Sequence, residues 1–342
     1  MNGSIVSPQK IAVVVPCFKV SAEILSTLAG IGPEVGKIFV VDDACPQGAG
    51  DVVQKETSDA RISVLRHDRN QGVGGAVISG YRAALADGAS IVVKLDGDGQ
   101  ADPGRISQLV APIANGSCDY VKANRFFNPE DLSGMPAKRL VGNAMLSFLT
   151  KMSTGYWSIM DPTNGFTAIS APVLQLLPLH KLAKGYFFES DILFRLNTVK
   201  AVVQDIPMPA KYAGEPSSLR VRKIVLPFIR GHLRNALARI IYGYFLRGFS
   251  VASIGLLLSI PLILFGFSFG LYHWIVNSLN DVPTLPGTVI VAALPIVIGM
   301  QLLLAFIGHD MQAEPRYPLT PSLKGTAGDD ATAIPRQVAA RH

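Results

Sequence analysis

The chain has 342 residues, of which 49% are hydrophobic and 16% charged, and its mean hydropathy is +0.33, too apolar for an ordinary soluble enzyme of this size. The net charge of +6 comes largely from one basic segment beside the most apolar part, which suits anionic lipid headgroups rather than nucleic acid. Three cysteines (Cys17, Cys45, Cys118) and six scattered histidines lack metal-ligand spacing, so they read as reduced cytosolic thiols and argue against zinc chemistry.

In chain order, Ile11–Pro16 (IAVVVP) is a continuous apolar run closed by proline, as a buried parallel strand reads. Ser21 with Leu25 and Leu28 predicts a capped helix. Lys37–Val41 is a second strand ending in Asp42-Asp43, and Ile62–Leu65 a short third. Gly75–Ala86 reads as a helix with a small-residue face, and Ser90–Leu95 as a fourth strand running into DGDGQ. Alternating strands and helices predict an α/β domain with a mostly parallel sheet and helices on both faces. Ligands of such sheets bind outside the carboxyl ends of the strands, and three of these ends carry Pro16, Asp42-Asp43 and Asp96-x-Asp98-x-Gln100. Two neighbouring carboxylates repel each other unless a cation lies between them. Residues 70–80 (NQGVGGAVISG) tempt a dinucleotide reading, but Val77 stands where the third glycine belongs and the segment follows the third strand. A tight turn opening a helix suits it better.

Gly248–Asn280 and Val282–Gly308 contain no Asp, Glu, Lys or Arg, and each exceeds the roughly 20 residues that cross a bilayer core. Before them lie Arg220, Arg222, Lys223, Arg230, Arg234, Arg239 and Arg247 with no acid between; after them come Arg316, Lys324, Arg336 and Arg341. The positive-inside rule therefore puts both ends in the cytoplasm and the hairpin tip outside. Met1–Lys10 is polar, so the large N-terminal part is expected to stay cytosolic. Within residues 219–249 an apolar side (Ile224, Val225, Phe228, Ile229, Leu233) opposes a basic one, and Pro227 is expected to divide the segment into two interfacial helices. The expected organisation is a catalytic domain over 1–218, juxtamembrane helices over 219–249, a two-span hairpin over 250–309 and a cytosolic tail over 310–342, disordered from about Gly325.

The ordered set PCFKV, VVDDA, NQGVGGAVISGYRAAL, LDGDGQADP, DPTNGF and KYAGEPSSL resembles family 2 glycosyltransferases, and within them the polyprenyl-phosphate enzymes of the dolichol-phosphate-mannose synthase type. The resemblance covers roughly Ile11 to Leu219. It implies a GT-A fold that binds a UDP- or GDP-linked sugar with Mg²⁺ or Mn²⁺ and passes the sugar, with inversion, to a polyprenyl phosphate. By the same resemblance, Asp42 and Asp43 contact base and ribose, with Pro16 beside the base. Asp96, Asp98 and Gln100 match the metal motif, Arg125 and Arg139 the acceptor-phosphate arginines, and Lys211 a basic residue that closes over the diphosphate. It further implies the bacterial plasma membrane, undecaprenyl phosphate as acceptor, and a homo-oligomer, tetrameric in some relatives. The chain departs from the pattern at Lys19-Val20, Ala101 and Thr167, where many relatives carry Asn-Glu, His and Arg; the first departure leaves the nucleotide open.

This chemistry suits the residues. A divalent ion offsets charge growing on a diphosphate leaving group, and magnesium accepts few protein ligands. A phosphate acceptor is already anionic, so no strong general base is needed; Glu189 is the best candidate for one, with Asp161 and Asp191 as further carboxylates. Two alternatives are a polysaccharide synthase, disfavoured because neither Trp157 nor Trp274 follows an arginine, and a non-catalytic membrane-anchored binding or scaffold protein, disfavoured by the intact Asp96/Asp98/Gln100 set.

Overall fold

The computed structural model of the protein describes residues 10–127, 137–208 and 221–326, with backbone alone at 137–140, 221–224 and 324–326. The described residues fall into two compact units, one running to Asn235 and resuming at Pro315, the other Ala236–Glu314.

The first unit is built on seven strands: β1 (Ile11–Cys17), β2 (Val35–Asp42), β3 (Ile62–Arg66), β4 (Ile91–Lys94), β5 (Tyr120–Asn124), β6 (Thr167–Ser170) and β7 (Val203–Pro207). They lie in the order β3-β2-β1-β4-β6-β5-β7, with β6 antiparallel to both neighbours and every other pair parallel. The helices are α1 (Ile24–Ala29), α2 (Ala49–Glu56), α3 (Val73–Ala86), α4 (Ile106–Ala114), α5 (Ala137–Thr154), α6 (Ala171–Leu176) and α7 (Phe188–Val199). All seven residues of β1 are buried, which is why it reads as an unbroken apolar run. Side chains alternate between faces. Val13, Val15, Ile38, Val40 and Val93 join Ile24, Leu28, Val53 and Leu109 in one core, while Ala12, Val14, Phe39, Val41 and Val92 join Val77, Tyr81, Leu174 and Ile192 in the other. The sheet is thus covered on both sides.

Two local expectations are corrected. Ser21 does not cap α1: the helix starts at Ile24 with Glu23 at its N-cap position, and the Ser21 hydroxyl instead reaches Gln47. Pro227 does not divide the basic segment, because α8 runs unbroken over Val221–Ile240. Proline in a helix interior costs about 3 kcal/mol, and tertiary contacts offset it. Phe187 stacks edge-on against Phe228 and His232 at 5.4 and 5.0 Å. His232 Nδ1 lies 2.8 Å from Ser153 Oγ, and the Asn235 amide donates to Asp191 at 3.0 Å. Val225, Leu226, Ile229 and Leu233 on this helix are exposed.

After the second unit the chain returns to the sheet. The Asp119 carboxylate, fully buried, accepts from the amides of Val202, Leu319 and Thr320 and from the Thr320 hydroxyl. Leu319 and Leu323 pack on the second core, and α11 (Thr320–Thr326) follows; the tail beyond it, expected to be disordered, lies outside the described residues. Because Thr320 Oγ1 also sits 2.7 Å from Ser170 Oγ, Thr320→Val should cost about 1.5–3 kcal/mol. Thermal unfolding of the full chain checks this; an unchanged Tm would mean that the strap contributes nothing.

The second unit holds α9 (Val251–Leu279) and α10 (Pro286–Gln312), both long and apolar enough to cross a membrane. The helices approach closely at small residues: a Cβ on Gly266 would lie 2.4 Å from the Ala292 carbonyl, and one on Gly299 would lie 2.8 Å from that of Ser259. Arg239 forks onto Asp310, which also accepts from Tyr244, so this buried pair is matched charge to charge.

Candidate active site

The strand order places β2, β1 and β4 side by side, with Asp42 opposite Cys17 and Lys94 opposite Val14. Pro16, Asp42-Asp43 and the DGDGQ segment therefore gather at the carboxyl ends of three adjacent strands. The loops here are constrained. Lys19 and Ala44, following β1 and β2, have φ of 61° and 53°, a conformation that costs non-glycine residues of order 1 kcal/mol or more and clusters at functional sites.

Asp42 and Asp43 are buried, and each organises a loop. Asp42 accepts from the amides of Cys45 at 2.8 Å and Gly50 at 2.9 Å. Asp43 accepts from Gln71 and Gly72, both at 2.8 Å, and contacts His67 Nδ1 at 2.7 Å, whose Nε2 lies 2.8 Å from Ser79 Oγ. The glycine-rich 70–75 stretch is thus an anchored turn opening α3.

At the end of β4, Asp96 and Asp98 are half-buried and Gln100 is exposed. Gly99 has φ of 72°, so the motif needs glycine there to turn back and let the Gln100 amide donate to Asp98 at 3.1 Å. Burial, and then the charge of Asp96, push the Asp98 carboxyl up. Such a like-charged pair of hard oxygen donors with an adjacent amide fits a small divalent cation whose remaining positions are filled by substrate and water. Among the described residues no group of three or more His, Cys, Asp or Glu is gathered for a metal, so this pair would rely on the Gln100 amide and on substrate oxygens.

Several residues that the sequence reading passed over complete this floor. Lys94, 1% exposed, donates to Asp96 Oδ1 at 2.8 Å and to Glu189 Oε1, in the first turn of α7, at 3.1 Å. Burial opposes its charge, but the two carboxylates outweigh that and raise its pKa. Lys122 on β5 donates to the Asn164 carbonyl; burial pushes it down to about 8 although Asp161, Asp205 and Glu189 lie near. The one signal for both was a lysine next to the apolar residues of a buried strand.

The structure gives Arg125 a partner that the sequence did not suggest. Its Nε and Nη2 fork onto Asp161 at 2.7 and 2.9 Å, and Asp161 is fully buried. Burial opposes ionisation of Asp161, but Arg125 more than compensates and holds its carboxyl below the usual range. Asp191 is structural, accepting from the Ala183 amide, Arg195 and Asn235. The Arg139 side chain and Lys211 lie outside the described residues.

Fold and site together define an α/β domain of the GT-A type. Residues 12–177 match the family described as Glycosyl transferase family 2, and over this stretch the chain is similar to a family 2 glycosyltransferase domain. The UDP-N-acetylglucosamine–dolichyl-phosphate N-acetylglucosaminyltransferase of Methanococcus voltae is 34% identical over 168 residues, 49% of this chain and 66% of that protein; the chain thus spans just under two thirds of that relative. The undecaprenyl-phosphate mannosyltransferase of Micrococcus luteus is 28% identical over 173 residues, 50% of this chain and 70% of that protein. Among solved structures, glucosyl-3-phosphoglycerate synthase from Mycobacterium tuberculosis, in complex with Mn²⁺, UDP and phosphoglyceric acid, superposes with a TM-score of 0.50 at 20% identity, covering 68% of this chain and 78% of that one. That likeness speaks to the fold.

Proposed function

We propose that this protein transfers a sugar, with inversion, from a nucleotide-diphosphate sugar to a polyprenyl phosphate at the cytoplasmic face of a membrane. The observation that carries the reading is the Asp96/Asp98/Gln100 strand end, set beside anchored loops in a chain that continues into two membrane-length helices. The names of the Methanococcus and Micrococcus relatives, both polyprenyl-phosphate sugar transferases, support it.

In this reading Pro16 and the loops fixed by Asp42 and Asp43 receive the base and ribose of a UDP- or GDP-linked donor. Asp98, Gln100 and Asp96 would hold Mg²⁺ or Mn²⁺, which when bound offsets the charge of the departing diphosphate, and Lys211 adds a further positive charge. Arg139 receives the acceptor phosphate, and Arg125 shapes that side through Asp161. Glu189, held by Lys94, orients rather than abstracts, since the acceptor is already an anion. The exposed apolar residues of α8, edged by Arg230 and Arg234, suit a headgroup-level position.

The test is transfer of radiolabelled sugar from UDP-glucose, UDP-N-acetylglucosamine or GDP-mannose to undecaprenyl phosphate by the full chain in detergent. Lipid-linked product from one donor is expected; none from any donor would favour a binding or scaffold protein. Topology is checked separately. A cysteine placed at Asn280, between the spans, should react with an impermeant reagent only from the side opposite the sheet domain. Labelling from the cytoplasmic side alone would refute the hairpin.

A further inference from the structure

Lys94 is a charge placed where the sheet has no room for water. Its side chain is 1% exposed, and the other three residues of β4 are buried. An ammonium has three protons to place, and all three have acceptors: Asp96 Oδ1 at 2.8 Å, Glu189 Oε1 at 3.1 Å and the Gly165 carbonyl at 3.2 Å. These acceptors belong to three separate segments: the end of β4, the start of α7 and the turn that follows Asp161.

That turn is gripped twice. Lys94 and Lys122 stand in one lateral row across the sheet, each paired in register with Thr167 of β6. Lys122 takes the Asn164 carbonyl and Lys94 the next one. The turn in turn confines Asp96: a Cβ on Gly165 would lie 1.8 Å from Asp96 Oδ2 and 2.5 Å from Lys94 Nζ. One oxygen of Asp96 is therefore bonded to Lys94, and the other faces the backbone of the turn that Lys94 holds.

We propose that Lys94 is a positioning residue of the donor site, fixing Asp96 and Glu189 around the Asn164–Gly165 turn so that Asp96 and Asp98 meet the divalent cation in a single geometry. The proposal rests on the metal-dependent reading above, and it makes a prediction opposite in sign to simple electrostatics. Removing a positive charge beside a cation site should tighten cation binding by Coulomb's law. Removing a positioning residue should loosen it.

The experiment is titration of the full chain in detergent with Mn²⁺ alone, following free Mn²⁺ by its paramagnetic resonance signal, with Tm measured alongside. Lys94→Met is expected to weaken Mn²⁺ binding at least tenfold. Lys122→Met, which loosens the same turn but touches no Asp96 oxygen, should stay within threefold of the wild type. The double variant Lys94→Met/Glu189→Gln removes the buried acid that would otherwise be left unpaired. It should recover part of the lost Tm without recovering Mn²⁺ affinity, so that a folded protein is available even where Lys94→Met alone fails to fold. The proposal is overturned if Lys94→Met binds Mn²⁺ as well as or better than the wild type, if the double variant regains affinity together with stability, or if Lys122→Met loses as much as Lys94→Met. If Asp98→Asn also binds Mn²⁺ like the wild type, the metal reading fails and the proposal falls with it; if Asp98→Asn loses binding while Lys94→Met keeps it, the positioning role alone is wrong.

Discussion

Asp98→Asn is expected to lower sugar transfer by about a hundredfold or more while the Tm holds or rises slightly. The asymmetry follows from the electrostatics of the strand end. Burial and the neighbouring Asp96 both disfavour the Asp98 charge, so in the absence of a cation the carboxylate is a burden on the fold, and an amide of the same shape relieves it. A divalent ion held by Asp98, as proposed, would reverse the balance. It needs anionic oxygens, and replacing a direct ligand costs more than the ten- to hundredfold typical of residues that merely support one. The Gln100 amide hydrogen bond to Asp98 Oδ1 can be kept by the asparagine oxygen, which preserves the turn at Gly99. Rate against Mg²⁺ concentration, with Tm measured in parallel, is the test. A variant with normal rate and normal Mg²⁺ dependence would remove Asp98 from the metal site.

Arg125→Ala should act first on stability. Asp161 is fully buried, and Arg125 supplies both arms of a fork and a backbone amide to it. Removing one partner of a buried pair leaves an uncompensated charge and costs about 3–5 kcal/mol, which for a domain of this size is a Tm loss of roughly 10 °C. Arg125→Lys keeps the charge but not the fork, so it should recover only part of this. The pH dependence has a definite sign. The folded Asp161 carboxyl lies below its usual value, with Arg125 outweighing burial. The pair therefore stabilises the protein above the unfolded carboxyl pKa of about 3.9 and loses that stabilisation as pH falls through the folded value. Melts of wild type and Arg125→Ala should converge on acidification. If the variant instead keeps its Tm at neutral pH and loses only apparent affinity for polyprenyl phosphate, the guanidinium belongs to the acceptor phosphate and not to Asp161.

The sequence by itself determined the elements whose burial is written in their composition. β1 is apolar at all seven positions save a closing Pro-Cys, β2 and β4 are nearly so, and the intervening helices carry their own periodicity, so a two-faced parallel sheet followed from local pattern. The two long apolar helices followed for the same reason, since each is an uncharged stretch of membrane-crossing length. The three polar strand ends were legible because a carboxylate after an apolar strand stands out, and parallel topology sends such ends to one edge.

Only the tertiary structure decided what those carboxylates hold. β5, β6 and β7 escaped because their pairing depends on partners far along the chain: β6 runs antiparallel between β4 and β5, 73 positions separating Lys94 from Thr167 in one register pair. Asp43 gripping the 70–72 turn, Arg125 gripping Asp161 and Asp119 gripping Thr320 are bonds across 28 to 201 positions, and no periodicity reports a contact at such range. Pro227 shows the converse: its local preference is to break a helix, and Phe187, Ser153 and Asp191 override it. Lys94 was visible as a charge in a buried strand, but its meaning required the positions of Glu189 and Gly165. A buried ion is tolerated only where the fold supplies its partners, and those partners are chosen by topology rather than by neighbouring sequence.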